Sequence, residues 1–189
     1  MQKMNYWDPK WDLHADICPC DIHFNEWIEA NKIVGKTIYH FGTGTHQVVG
    51  SRQAQFGNTV FAITASKEEY DAYIELVTGN SRIARSYLVH FGDIYLIDPK
   101  LLPDFDIATL FHLNEFSRPN TATAEYGGMT DRALLDLFTD KLRAGGHLLL
   151  YRDSNGRGAT SNILPIWQSE QPVERLADFK TLLVYRKRG

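Results

Sequence analysis

The chain has 189 residues, of which 43% are hydrophobic and 23% charged, and its formal net charge is −3. That length suits one domain with a full core, the balance is ordinary for a globular protein, and the absence of a basic surplus argues against general nucleic-acid binding. No run of about 18 apolar residues exists, so no membrane-spanning helix is expected.

Residues 1–20 carry Trp7, Trp11, Pro9 and Pro19 and read as an ordered arm laid over a domain of residues 21–189. The arm lacks the apolar segment of a signal peptide. Cys18 and Cys20 are one residue apart, so a disulfide would close almost no loop. A cytoplasmic setting is therefore expected. The spacing of His14, Cys18, Cys20 and His23 does not match zinc-site patterns, where cysteines stand two to four residues apart. These residues read as packed thiols and imidazoles, and no metal is expected.

Residues 21–34 place Ile22, Trp27, Ile28 and Ile33 on one helical face, with Asp21 as the cap. A strand is predicted at 37–41, then a Gly42-Thr43-Gly44 loop and a helix at 45–55. The second strand is NTVFAIT, 58–64. The helix after it, 66–80, carries a capping box of Ser66 and Glu69. A third strand at 85–91 turns out through Gly92-Asp93, and a buried fourth is predicted at 105–113. Residues 116–129 form a polar, turn-rich loop of the kind that covers sites. The helix at 130–146 has Thr130 as its cap and Gly145-Gly146 as its stop. A fifth strand follows at 147–152. The segments 172–176 and 179–187 lie too close together in sequence to be parallel neighbours, so the chain closes on an antiparallel pair. This alternation of strands and helices predicts an open α/β sheet with a mostly parallel centre.

In such a sheet, ligands bind beyond the carboxyl ends of the strands. Gly42 and Gly44 permit close backbone approach, and the helix after them offers unpaired N–H groups. The dinucleotide fingerprint needs a glycine where Gln47 stands, and the phosphate-loop Gly-Lys-Ser/Thr is absent.

The ordered pieces GTGT (42–45), Gly92-Asp93 and LRAGGHLLL (142–150) resemble the class I S-adenosylmethionine-dependent methyltransferase family. The resemblance covers residues 21–189. It implies a Rossmann-like α/β fold: a mostly parallel seven-stranded sheet with one antiparallel strand near the C-terminus and helices on both faces. It implies S-adenosylmethionine as cofactor and a small-molecule methyl acceptor as partner, with no nucleic acid and no membrane. A homodimer is compatible with the small size. The cofactor residues it implies are His40, Gly42, Thr43, Gly44, Thr64 and Asp93.

Three of the family's positions are filled differently here. His40 stands where an acid usually holds the cofactor's ammonium end, His46 replaces a glycine, and Thr64 replaces the acid that takes the ribose hydroxyls. Each lost charged hydrogen bond would cost about 1.5–3 kcal/mol. A non-catalytic binding protein on the same fold is the alternative. His112, after the fourth strand, is the candidate general base. Asn114, Glu115 and Tyr126 are the candidate acceptor-site residues.

Overall fold

The computed structural model describes residues 2–8, 10–118 and 121–189. Pro9 of the arm, and Pro119 and Asn120 of the 116–129 loop, lie outside the described residues.

Seven strands form one sheet in the order β3-β2-β1-β4-β5-β7-β6, with helices around it. The chain divides into two compact units. The first is Asn5–Ile94. It holds α1 (Cys20–Ala30), β1 (Thr37–Phe41), α2 (Val48–Gln55), β2 (Thr59–Thr64), α3 (Lys67–Gly79), α4 (Ser81–Ala84) and β3 (Tyr87–Phe91). β1 pairs with β2 and β2 with β3, both parallel, with His40 opposite Ala62 and Thr64 opposite Phe91. Four of the five residues of β1 are buried in succession, as expected of a strand covered on both faces.

The second unit is Tyr95–Gly189 with the start of the chain. It holds β4 (Phe105–Thr109), α5 (Asp131–Lys141), β5 (Leu142–Tyr151), α6 (Arg157–Glu170), β6 (Val173–Arg175) and β7 (Leu182–Lys187). β4 and β5 are parallel, whereas β7 runs antiparallel to both β5 and β6. The predicted antiparallel closing pair is therefore present. Trp167 of α6 is fully buried, packs edge-on against Tyr185 of β7, and donates its indole N–H to Thr139 Oγ1 at 3.1 Å.

Several local expectations give way to tertiary partners. Thr130 does cap α5, accepting from Ala133 N at 3.1 Å. Gly145-Gly146, however, does not end that helix. It stops at Lys141, and the glycines lie within β5, where the β4 register shifts. A Cβ on Gly146 would stand 2.8 Å from the carbonyl oxygens of Arg143 and Asp106, so close backbone approach, not helix termination, demands glycine there. β4 ends at Thr109, four residues before the predicted end, and His112 lies in the turns beyond it. α2 begins only at Val48. α4 and α6 carry no counterpart in the sequence reading.

Asp21 does not cap α1, whose first residue is Cys20 and whose N-cap is Pro19. Ser66 makes no side-chain cap bond to α3, so the capping box is not formed. In both cases the acidic side chain is buried and turned toward the glycine loop.

Candidate functional site

β1 delivers the chain into Gly42-Thr43-Gly44, where both glycines are left-handed, with φ of +82° and +56°. Gln47 also has positive φ, +49°, and immediately precedes α2. Its side chain is buried and locks the loop. The Gln47 amide donates to Gly44 O at 2.8 Å and Glu69 O at 2.9 Å, and Tyr87 donates its hydroxyl to Gln47 Oε1 at 2.5 Å.

On one flank of the loop lies Glu69 of α3, 3% exposed. Its Oε2 accepts from Thr64 Oγ1 at 2.7 Å and Thr43 Oγ1 at 3.1 Å. The end of β2, where the sequence offers only a threonine hydroxyl, is thus backed by a carboxylate from the next helix. Thr64 O also accepts from Gly92 N at 2.9 Å, which brings the turn before buried Asp93 to the same strand end.

On the other flank lies Asp21. His40 Nε2 stands 3.7 Å from its Oδ1, and His46 Nε2 stands 3.6 Å from its Oδ2. The Cys20 thiol also faces Oδ1, at 3.7 Å. Cys18 and Cys20 have their sulfurs 3.5 Å apart, and the bond from Cys18, burial and the charge of Asp21 push the Cys20 thiol well up. His40 therefore does not stand alone at the strand end, because an acid from α1 lies beside it.

His46 folds back over the loop. A Cβ built on Gly44 would lie 2.2 Å from His46 Nε2, so the imidazole fills the space above that glycine. Its Nδ1 accepts from Val48 N at 3.2 Å, which leaves the proton on Nε2, facing Asp21. Burial pulls the imidazole below its ordinary value of 6.5, against the opposing charge of Asp12. Asp12 belongs to the arm. It accepts from Thr45 Oγ1 at 2.6 Å, and Thr45 N donates to Trp11 O at 2.9 Å. Trp7 N donates to Ala65 O at 2.9 Å. The arm is thereby stitched to the exits of β1 and β2.

The second unit holds the remaining candidates. His112 Nδ1 lies 3.2 Å from Glu115 Oε2, and Glu115 Oε1 accepts from Asn155 N at 2.9 Å. Burial raises the Glu115 carboxyl, but His112, Ser154 and Asn155 together hold it below its ordinary value of 4.5. Asn114, left-handed at φ +65°, donates its side-chain amide to Thr160 Oγ1 at 2.9 Å and its backbone N–H to Asp131 Oδ1 at 2.8 Å. Tyr95 donates to the same Asp131 oxygen at 2.8 Å. Tyr126 is buried. His112, Asn114 and Glu115 thus share one knot of turns. The sequence assigns Asp21 and Glu69 only capping roles and does not single out Gln47 or Tyr87 as site residues. Each is polar and buried, a combination that single-sequence spacing does not reveal.

The chain matches no protein-family model and no curated protein. Solved structures do match. The N-methyltransferase NodS from Bradyrhizobium japonicum WM9, in complex with S-adenosyl-L-homocysteine, is 13% identical, with a TM-score of 0.64 over 93% of this chain and 91% of that one. The CcbJ methyltransferase from Streptomyces caelestis is 11% identical, with a TM-score of 0.64 over 95% and 94%. The 4+2 cyclase SpnF is 12% identical, with a TM-score of 0.60 over 95% and 86%. The fold is that of the class I S-adenosylmethionine-dependent methyltransferases. No helix among the described residues is long and apolar enough to cross a membrane.

Proposed function

We propose that the chain binds S-adenosylmethionine at the Gly42–Gly44 loop and transfers its methyl group to a small molecule. The observation that carries this reading is the pair of left-handed glycines, Gly42 and Gly44, in the loop at the exit of β1, flanked by the buried acids Asp21 and Glu69. In this fold a ligand beyond the strand ends meets that loop first. NodS was crystallised with the demethylated form of the same cofactor.

The residues present fit the group with one adjustment. The space above Gly44 holds a movable imidazole and not backbone, so it opens by side-chain rotation. Gly42, Thr43 and Gly44 would face the aminoacyl end, with His40 and Asp21 beside it. Thr64, backed by Glu69, would meet the ribose hydroxyls, and Asp93 the adenine. When bound, the cofactor supplies an electrophilic methyl group on a cationic sulfur. The protein's task is then to hold the acceptor in line and to accept its proton. His112 is the residue proposed for that proton. Glu115 engages Nδ1 and so directs the basic lone pair to Nε2. Asn114 and Tyr126 are proposed to shape the acceptor's surroundings.

A second reading is favoured by the position of His46 over Gly44. On it the chain keeps the fold as a non-catalytic binding or interaction protein that has lost or altered cofactor binding. A cyclase on this fold illustrates that architecture does not set chemistry.

Titration calorimetry with S-adenosylmethionine and S-adenosylhomocysteine separates the two. Micromolar binding that Gly44→Leu abolishes supports the first reading. Absence of binding by the folded protein supports the second.

A further inference from the structure

We propose that Cys18 and Cys20 form a reversible redox site, a dithiol that a low-molecular-weight disulfide converts into an intramolecular disulfide. It needs no bound cofactor.

The chain holds two cysteines, separated only by Pro19. Pro19 stands at φ −81°, close to the value its ring imposes, and is the N-cap of α1, so Cys20 becomes the first helical residue. Backbone bonds hold the pair from both sides. Cys18 N donates to His14 O at 2.8 Å, and His23 N donates to Pro19 O at 2.9 Å. The two sulfurs are thereby brought to 3.5 Å. In a disulfide they lie about 2.05 Å apart, so closure asks two side chains to move by about 1.5 Å in total. No rearrangement of the fold is required.

The two thiols are not equivalent. Cys20 is 2% exposed, whereas Cys18 is partly exposed. The bond from Cys18, burial and the charge of Asp21 hold the Cys20 thiol well up, so it is slow to ionise. Cys18 is therefore the sulfur that meets the oxidant. Its thiol gives up a proton, and the thiolate attacks one sulfur of the small disulfide, whose S–S bond breaks. The departing thiolate takes the proton. Cys20 then loses its own proton and attacks Cys18 Sγ, expelling the second half of the small molecule as a thiol. Two protein thiols end as one disulfide, and the small disulfide is reduced to two thiols. A bridge across a single intervening residue gains almost nothing from loop closure, so excess small thiol reverses it.

The Cys20 thiol also presents its hydrogen to Asp21 Oδ1 at 3.7 Å, and Asp21 faces His40 at 3.7 Å and His46 at 3.6 Å. Closure removes that hydrogen. The state of the pair is thus felt at the carboxylate beside the glycine loop.

The test is the intact mass of the full chain after native incubation with oxidised glutathione, acid quench and alkylation. With no other cysteine in the chain, the alkyl groups taken up report this pair alone. Wild type is expected to lose two hydrogen atoms, to take up no alkyl group, and to recover both alkylatable thiols in excess reduced glutathione. Cys20→Ser is expected to stop with one glutathione held on Cys18. Cys18→Ser is expected to react roughly tenfold more slowly than Cys20→Ser, because its remaining thiol is buried. If Cys20→Ser does not fold, Cys20→Ala replaces it. Closure in wild type is expected to move the His46 ring NMR signals. Wild type that keeps two alkylatable thiols, retains a glutathione adduct or links two chains overturns the proposal, as does a bridge that excess reduced glutathione does not open. Cys18→Ser reacting as fast as Cys20→Ser overturns the order of attack. A closed pair that leaves the His46 signals in place overturns the link to the loop.

Discussion

Thr64 donates its hydroxyl to Glu69 Oε2 at 2.7 Å, joining the end of β2 to a helix that begins three residues later. The same oxygen accepts from Thr43, so one buried carboxyl ties β2, α3 and the glycine loop. Glu69→Ala removes the acceptor and strands two buried hydroxyls. The expected loss is roughly 3 kcal/mol, the upper end for hydrogen bonds to a charged group. Glu69→Gln keeps an acceptor oxygen and should lose only about 1 kcal/mol. Urea denaturation of both variants checks the order. Equal and small losses would remove Glu69 from the role assigned to it.

Gly50 lies inside α2, and a Cβ there would stand 2.2 Å from the buried Tyr87 ring. Alanine in a helix interior gains about 1 kcal/mol over glycine. Forcing a methyl into a packed core costs roughly 1–3 kcal/mol. The contact is with a buried ring, so the clash is taken to outweigh the gain, and Gly50→Ala should destabilise by up to about 2 kcal/mol net. The cause is the ring itself. In a Tyr87→Leu background, Gly50→Ala should therefore become neutral or stabilising, and a double-mutant cycle by thermal denaturation measures the difference. An unchanged cost in that background would place the strain elsewhere.

These two residues also show what was legible in the chain before folding. The strands were, because parallel strands covered on both faces read as unbroken apolar runs, as in LLLY of β5. Thr130 was, because its partner Ala133 is three residues away. Glu69 followed the same short-range rule on paper, with Ser66 three residues before it. Yet its partners are Thr43 and Thr64, and no local spacing announces a partner 26 residues distant. Asp21 is the same case, paired across 19 and 25 residues with His40 and His46. α6 escaped for a different reason. Its buried stripe is only Thr160, Leu164 and Trp167, set among serine, asparagine and glutamine, with Pro165 in the interior. The glycine loop was readable in the sequence, but the buried acids that flank it were not.

Glu115 predicts a stability loss confined to one side of a pH window. Its carboxyl is held below the ordinary 4.5, burial being outweighed by His112 and the bonds of the 154–156 turn. A depressed carboxylate stabilises the fold above the unfolded value, and that stabilisation is lost as pH falls through the folded one. Glu115→Gln should therefore cost about 1–2 kcal/mol at pH 7. The gap to wild type should close as pH falls below 4.5. Chemical denaturation at pH 7 and at successive points below 4.5 reads both ends. A gap that persists in acid would mean that the side chain's shape, not its charge, holds Asn155.

His46 and His147 push in the opposite chemical sense yet give the same direction. Burial lowers both imidazoles from 6.5, with Asp12 opposing it at His46 and Arg186 reinforcing it at His147. As pH falls from neutrality the unfolded chain takes up these protons first, so the folded state loses stability until the pH passes below the folded values. Each imidazole can contribute a slope of up to about 1.4 kcal/mol per pH unit. The groups facing His46 are Asp12 of the arm, Asp21 of α1 and, across Asp21, His40 of β1. His46→Gln removes one titrating imidazole and keeps an acceptor for Val48 N, so it should flatten the dependence between pH 7.5 and 5.5 by roughly half. Urea midpoints across that range measure it. A fold that gained stability on acidification, with the gain abolished by His46→Gln, would mean that Asp21 holds an imidazolium. The neutral Nε2–H imidazole assigned to His46 would then be wrong.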